Sequence, residues 1–207
     1  MYSDKYCIDN KLVITYDWYI ILFLIRRFQM AVDVARIQDV YKDAGQSVNF
    51  TTLLLNRKDR DAELEVIQDM ADRIQAIKRS VSIRANGEGL GIAFGFSRKA
   101  WDYLFPNAPV PKELEDFQGI KGDKQDVPAV AADLFLHVRS NDESVTYTVV
   151  DQIMEFLRPI TSVVDETHGF HYEQGRAIID FVDGTENPVG QEAVEWGVIG
   201  DEDPEFT

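Results

Sequence analysis

The stretch DLFLHVRSNDESVTYTVVDQIMEFLRPITSVVDETHGF, residues 133–170, contains the patterns of a strand, a helix and a second strand in direct succession. A helix is predicted over residues 143–157, where apolar side chains recur at intervals of three and four, and Pro159 ends it. The residues from there to Phe170 predict the second strand. The first strand is indicated by alternation, with Leu134, Leu136 and Val138 on one face and Asp133, Phe135, His137 and Arg139 on the other.

The chain before this stretch shows a similar order of elements. β-Branched and apolar residues predict a strand over about Val48–Leu55, and alternating large and small residues predict another over 90–96. Ser97 is placed to cap a short helix, and Pro106–Pro128 is predicted to be a long loop. Between the two strands, Asp59 is placed to cap an amphipathic helix whose apolar stripe consists of Leu64, Ile67, Met70, Ala71, Ile74 and Ile77.

Taken together, these elements follow the order β-α-β-β-α-β over residues 47–173. That order is typical of the ferredoxin-like split βαβ fold. The sequence therefore predicts an α+β domain with a four-stranded antiparallel sheet and two helices on one face of it.

The composition excludes several classes of function. A formal net charge of -15 argues against binding nucleic acid, because phosphate recognition needs clustered lysine and arginine. The single cysteine, Cys7, excludes an internal disulfide and cysteine-rich metal sites. A chain without disulfides is typical of the reducing cytosol, so a cytoplasmic location is predicted.

Residues 1–30 differ from the rest of the chain. The apolar run Trp18–Ile25 is shorter than the roughly 20 residues that a membrane-spanning helix needs, so no integral membrane span is predicted. Arg26 and Arg27 follow the run, whereas a signal peptide has its basic residues before it. We interpret 1–30 as an extension foreign to the domain, with a membrane-associating anchor as the alternative. The ferredoxin-like domain is expected over 31–175.

The run FVDGTENP, Phe181–Pro188, is the candidate site for chemistry. Asp-Gly and Asn-Pro are both turn signals, and one of them would be enough for a simple turn. The run is therefore either a decorated surface turn or a rigid platform that directs Asp183 toward a target. The histidines, His137, His168 and His171, are expected to make local hydrogen bonds rather than to hold a metal.

Three segments together carry a family resemblance. FVDGTENP, the preceding HGFHYEQGRAII and the strand DLFLHVRS resemble the dye-decolorizing peroxidases, haem enzymes, in their bacterial B-type branch. Such enzymes are built from two ferredoxin-like domains. The resemblance implies that residues 176–207 form the distal haem loop and the beginning of a second domain, and that the whole family protein is a homo-oligomer.

The resemblance also implies roles for the loop. The family signature Gly-x-x-Asp-Gly lies over the distal face of haem b, and its aspartate and last glycine correspond to Asp183 and Gly184. Asp183 is expected to be the catalytic acid and base for hydrogen peroxide, with small organic reductants as the second substrates. The residues expected to contact the cofactor are Asp180, Phe181, Val182, Gly184, Thr185, Glu186 and Asn187.

The sequence departs from the family pattern in two ways. The first glycine of the signature is Asp180 here, which leaves the local backbone geometry open. No histidine of the chain matches the axial iron ligand, which is expected beyond residue 207. The alternatives to a peroxidase are therefore an inactive fragment, a non-catalytic ferredoxin-like assembly or binding module, and a member of the same family that handles haem or iron.

Overall fold

The computed structural model describes residues 38–84, 89–182, 186–199, 203 and 206. The predicted extension 1–30 lies outside the described residues. The strands are β1 Ser47–Leu55, β2 Gly91–Phe96, β3 Ile120–Lys121, β4 Asp126–Val127, β5 Leu134–Ser140 and β6 Thr161–Phe170. The helices are α1 Arg60–Arg84, α2 Arg98–Leu104, α3 Glu143–Leu157 and α4 Gln191–Gly197.

The main sheet has four strands in the order β2-β5-β1-β6, and every neighbouring pair is antiparallel. The first and third strands of the β-α-β-β-α-β order are neighbours at its centre, as the split βαβ arrangement requires. The predicted α+β ferredoxin-like fold is confirmed. The short strands β3 and β4 form a separate ribbon inside the predicted long loop, which the sequence analysis missed.

The core lies between this sheet and helices α1 and α3. Leu53 of β1 is paired in register with Leu134 of β5, and both are buried against the helices together with Leu136. From α3, Val149 and Ile153 complete this apolar layer. Successive residues of a strand point to opposite faces of the sheet, so β5 places Phe135 and His137 on the face away from the helices.

The predicted helix starts are confirmed by their capping bonds. The Asp59 carboxylate accepts hydrogen bonds from the backbone N–H groups of Asp61 and Ala62, at 3.1 and 3.2 Å. The Ser97 hydroxyl accepts one from the Ala100 N–H at 3.1 Å. These bonds satisfy donors that the first turn of a helix leaves without partners.

The buried stripe of α1 differs from the prediction at both ends. Ala71 is exposed, whereas Glu63 and Val81 are buried. Glu63 is only 3% exposed because its two carboxylate oxygens accept hydrogen bonds from the Tyr103 hydroxyl, at 3.0 Å, and from the Lys58 N–H, at 3.1 Å. A charged residue is not expected in an apolar stripe, so periodicity alone could not place it there.

Candidate functional site

The segment that leads to the signature leaves the sheet at the end of β6. The His171 N–H donates to the Gln46 carbonyl oxygen at 2.9 Å, which continues the pairing by one residue. A short 3-10 turn, Glu173–Gly175, then redirects the chain, and Gln174 and Gly175 have positive φ angles of 56° and 85°. The chain therefore reaches residues 176–182 through a turn with two successive residues in the left-handed region.

Residues 176–182 form a tight turn that ends directly before Asp183. Arg176 and Val182 make an antiparallel bridge, and the Ala177 N–H donates to the Phe181 carbonyl oxygen at 2.8 Å. The Asp180 N–H closes the turn by donating to the Ala177 carbonyl oxygen at 2.8 Å. These bonds hold residues 176–182 in one turn. The predicted cofactor contacts of Asp180, Phe181 and Val182 stay predictions.

Asp180 has a φ of 73°, which lies in the left-handed region that favours glycine. This explains the glycine that the family signature has at the corresponding position, because glycine adopts such angles without steric cost. Aspartate is one of the few other residues that tolerate them. The Arg176 guanidinium supports the turn by donating to the Asp180 carbonyl oxygen at 3.2 Å. The departure from the signature therefore leaves the turn intact.

Apolar side chains around the signature are open to solvent. Phe181 is 71% exposed, and Ile178 and Ile179 are each 75% exposed. Further along, Trp196 of α4 is 82% exposed. Ile178, Ile179 and Phe181 are close in sequence, and exposed apolar groups that cluster are typical of binding surfaces.

The other predicted site residues divide into two groups. Glu186 and Asn187 are exposed. Asp183, Gly184 and Thr185 lie outside the described residues, so their predicted roles stay predictions.

The three histidines make contacts within the protein. His168 pairs with Glu166 at 2.9 Å, and the ring of His171 lies 2.9 Å from the Gln46 amide. His137 packs against the Phe50 ring at 4.5 Å between centroids, and burial, followed by the charge of Arg139, lowers its pKa below the ordinary value of 6.5. Within the described parts of the chain, no three histidine, cysteine, aspartate or glutamate residues are grouped to hold a metal ion.

Sequence reasoning missed a cleft of about 950 Å³ between α2 and the long loop. Its floor contains Arg57, whose guanidinium pairs with the buried Asp133 at 2.7 Å and lies 4.6 Å from the centroid of the Tyr103 ring. Arg57 also has a φ of 51°, an uncommon angle for a residue with a side chain. The only signal in the sequence was Asp133, the charged first residue of DLFLHVRS, but its partner Arg57 is 76 positions away.

Comparison with known proteins identifies the family. Residues 25–171 match the family model described as Dyp-type peroxidase, N-terminal. A dye-decolorizing peroxidase of Rhodococcus erythropolis is 37% identical over 142 residues, which are 69% of this chain and 41% of that protein. Another, from Mycobacterium tuberculosis, is 34% identical over 140 residues, 68% of this chain and 42% of that protein.

Solved structures agree with the sequence match. A dye-decolorizing peroxidase from Bacteroides thetaiotaomicron has a TM-score of 0.75 at 36% identity, over 82% of this chain and 54% of that chain. A DypB variant of Rhodococcus jostii in complex with heme has a TM-score of 0.74 at 30% identity, over 82% and 54%.

The fold, the antiparallel strand order and these matches define the class: the chain belongs to the Dyp-type peroxidase family. More specifically, it matches the model of the family's N-terminal region and spans about two fifths of the length of the curated relatives. The match to the family model ends at residue 171, before the signature loop. Among the residues that the structure describes, no helix is long and apolar enough to cross a membrane.

Proposed function

We propose that this chain contributes the peroxide-binding half of a haem peroxidase site, in which haem b lies against the signature loop and Asp183 acts as acid and base. The observation that carries the proposal is the turn 176–182. Its hydrogen bonds hold the backbone up to Val182, the residue before Asp183, and Phe181 is left exposed.

The described residues fit the apolar part of such a cofactor. Phe181 and Val182 present uncovered apolar surface, which a porphyrin ring would remove from water. Gly184 would allow the backbone to come close to the ring edge, because glycine has no Cβ. We assign no iron ligand among the described residues, since none of the three histidines corresponds to the axial ligand that the family resemblance implies.

In the proposed mechanism, Asp183 accepts a proton from hydrogen peroxide and returns it to the oxygen atom that leaves as water. A carboxylate beside an apolar cofactor is desolvated, which raises its pKa toward the range that proton transfer near neutral pH requires. The haem iron, when bound, would hold the peroxide and take up its oxidising equivalents. Small organic donors would then be oxidised, and a cytoplasmic location belongs to the same proposal.

The test begins with a haem titration of the purified chain, followed by an assay of peroxide-dependent dye oxidation. The wild-type chain is expected to give a saturable change in haem absorption at one haem per chain. Asp183→Asn should keep this binding and lower the oxidation rate by about 100-fold or more, the contribution of a positioned acid-base group. Asp69→Asn is the control, because it removes an exposed carboxylate of α1 outside the signature loop and should retain both haem binding and activity.

A non-catalytic binding module is the second candidate, and the exposed apolar residues of 178–196 favour it equally. The haem titration separates the two candidates. If no saturable haem binding is observed, the peroxidase proposal fails for this chain. If haem binds but Asp183→Asn turns over like the wild type, the acid-base role is wrong.

A further inference from the structure

The two edges of the main sheet are protected in different ways. β6 forms one edge, and four consecutive polar residues lie in it: Asp165, Glu166, Thr167 and His168. A register shift between Thr52 and Leu53 also interrupts its pairing with β1. Charged residues and irregular pairing are common devices that prevent an edge strand from pairing with another chain.

β2, at the opposite edge, has neither device. Its sequence, GIAFGF, contains no charged residue and no proline, and its six residues pair with β5 without a shift. On one face of the strand, Gly91, Ala93 and Gly95 carry only the methyl group of Ala93. An uncharged apolar edge of this kind is a template for strand pairing.

The backbone groups on the outer side of β2 are occupied by two side chains. The Gln38 amide oxygen accepts from the Phe94 N–H at 2.6 Å, and the Gln38 amide nitrogen donates to the Phe94 carbonyl oxygen at 3.0 Å. One residue on, the Asp39 carboxylate accepts from the Ile92 N–H at 3.2 Å. A primary amide offers one donor and one acceptor group, so Gln38 occupies both groups that Phe94 would offer to a neighbouring strand.

The segment that carries these side chains is held in place by Arg139. Its guanidinium, which is 3% exposed, donates to the backbone carbonyl oxygens of Asp39, Lys42 and Asp43. The Asp39 carboxylate is also paired with Lys42 at 2.6 Å and with Lys78 of α1. Gln38 and Asp39 are therefore fixed to β5 and α1 as well as to the edge they cover.

From this geometry we propose that Gln38 and Asp39 form an edge lock, and that opening it turns β2 into a pairing surface for a second copy of this chain. A second copy fits because all pairs in the sheet are antiparallel and β2 can pair antiparallel with itself about a two-fold axis. The absence of charge on β2 means that two copies of it do not repel each other.

The proposal is tested in the full chain with the double variant Gln38→Ala/Asp39→Ala, which removes both side-chain acceptors from the edge of β2. Light scattering after size-exclusion chromatography should show a mass twice that of the wild type at the same concentration. Lys42→Ala is the matched control, because it removes a partner of Asp39 and leaves the bonds to Ile92 and Phe94 in place. It should retain the wild-type mass. A double variant with the wild-type mass, or a control that also doubles, would overturn the proposal.

Hydrogen exchange locates the pairing surface. In the double variant at low concentration, the amides of Ile92 and Phe94 should exchange at least tenfold faster than in the wild type. At high concentration, both amides should regain protection as the copies pair. Oligomers in which these two amides remain fast would place the interface elsewhere and contradict the proposal.

A single variant keeps the test valid if the double variant does not fold, as judged by circular dichroism. Gln38→Ala retains the Asp39 anchor, and it should accelerate exchange at Phe94 while leaving Ile92 at the wild-type rate. If Gln38→Ala changes the exchange rates of Phe94 and Ile92 by the same factor, or changes neither, the two side chains do not protect the edge separately and the proposal fails.

Discussion

Apolar side chains are buried on the helix-facing side of the sheet but exposed in the chain that follows β6. Leu53, Leu136 and Ile153 have no exposed surface at all, whereas Phe181 and Trp196 are mostly exposed. The first set stabilises the domain by leaving water. Among the residues that the structure describes, none covers the second set. The difference teaches that Phe181 and Trp196 offer their apolar surface to something other than the core described above.

The largest expected effect on this comparison comes from shortening one side chain in the core and one in the exposed loop. Leu136→Ala should lower the free energy of unfolding by about 2–5 kcal/mol, because it leaves a cavity at the centre of the core. Phe181→Ala should change it by about 0.5 kcal/mol or less, because that side chain has little packing to lose. Urea denaturation of both variants measures the difference. Similar losses in the two variants would mean that the loop side chains also belong to the core.

The second test uses pH. Burial alone raises the pKa of the Asp39 carboxyl, but hydrogen bonds from Lys42, Lys78 and the Ile92 N–H outweigh it, so the pKa lies below its ordinary value of 3.8. A carboxyl with a lowered folded-state pKa stabilises the fold at pH values above its unfolded pKa. That stabilisation disappears as the pH falls through the folded-state value.

Asp39→Asn should therefore cost about 2 kcal/mol at neutral pH, the contribution of hydrogen bonds to a charged group. The stability of the variant and that of the wild type should converge as the pH is lowered below 3.8. Urea midpoints at a series of pH values provide the measurement. Asp69→Asn, on the exposed side of α1, is the control. A difference for Asp39→Asn that does not change with pH would contradict the assignment.

The third test concerns local structure inside the folded domain. Ser97→Ala removes the capping bond to the Ala100 N–H and should cost about 1 kcal/mol. Ser97→Asp restores an acceptor at the same position and should recover most of that loss. Thermal denaturation of the three proteins checks the order. If Ser97→Ala matches the wild type, the cap contributes nothing to stability.

The smallest expected effect is in the signature turn. Asp180→Gly relieves the positive φ and should stabilise the turn by about 0.5 kcal/mol, after the entropic cost of glycine is subtracted. The measurement is slower exchange of the Ala177 N–H, which is bonded to the Phe181 carbonyl oxygen. Asp180→Asn serves as the control, because asparagine tolerates the same angle. Faster exchange in Asp180→Gly would mean that the aspartate side chain, paired with Arg176, contributes more than the strain costs.

Much of the fold could be predicted because its signals are local. The alternation in residues 134–138 and the three-and-four spacing in α3 depend only on neighbouring side chains, and the structure has α3 at the predicted bounds, Glu143–Leu157. The caps at Asp59 and Ser97 are local as well, since each side chain bonds within three residues of itself. Strand and helix periodicity and the capping residues can therefore be recognised without knowledge of the fold.

The candidate site was only partly predictable. The sequence singled out Asp180 as a departure from the family signature, and its φ shows why the departure is tolerated. The exposure of Phe181 could not be read from the sequence, because an apolar residue next to a turn is equally compatible with a buried position. Whether a side chain is covered depends on elements distant in the chain.

The amino-acid sequence by itself determined the order of the elements and the family. Only the tertiary structure decided which charged groups are buried, among them Glu63, Asp39 and Arg139. The physical reason is that a buried charge needs partners, and those partners are far away in sequence: Tyr103 for Glu63, and the backbone of 39–43 for Arg139. Local patterns specify which segments become strands and helices, whereas the pairing of distant charges is set when those segments pack.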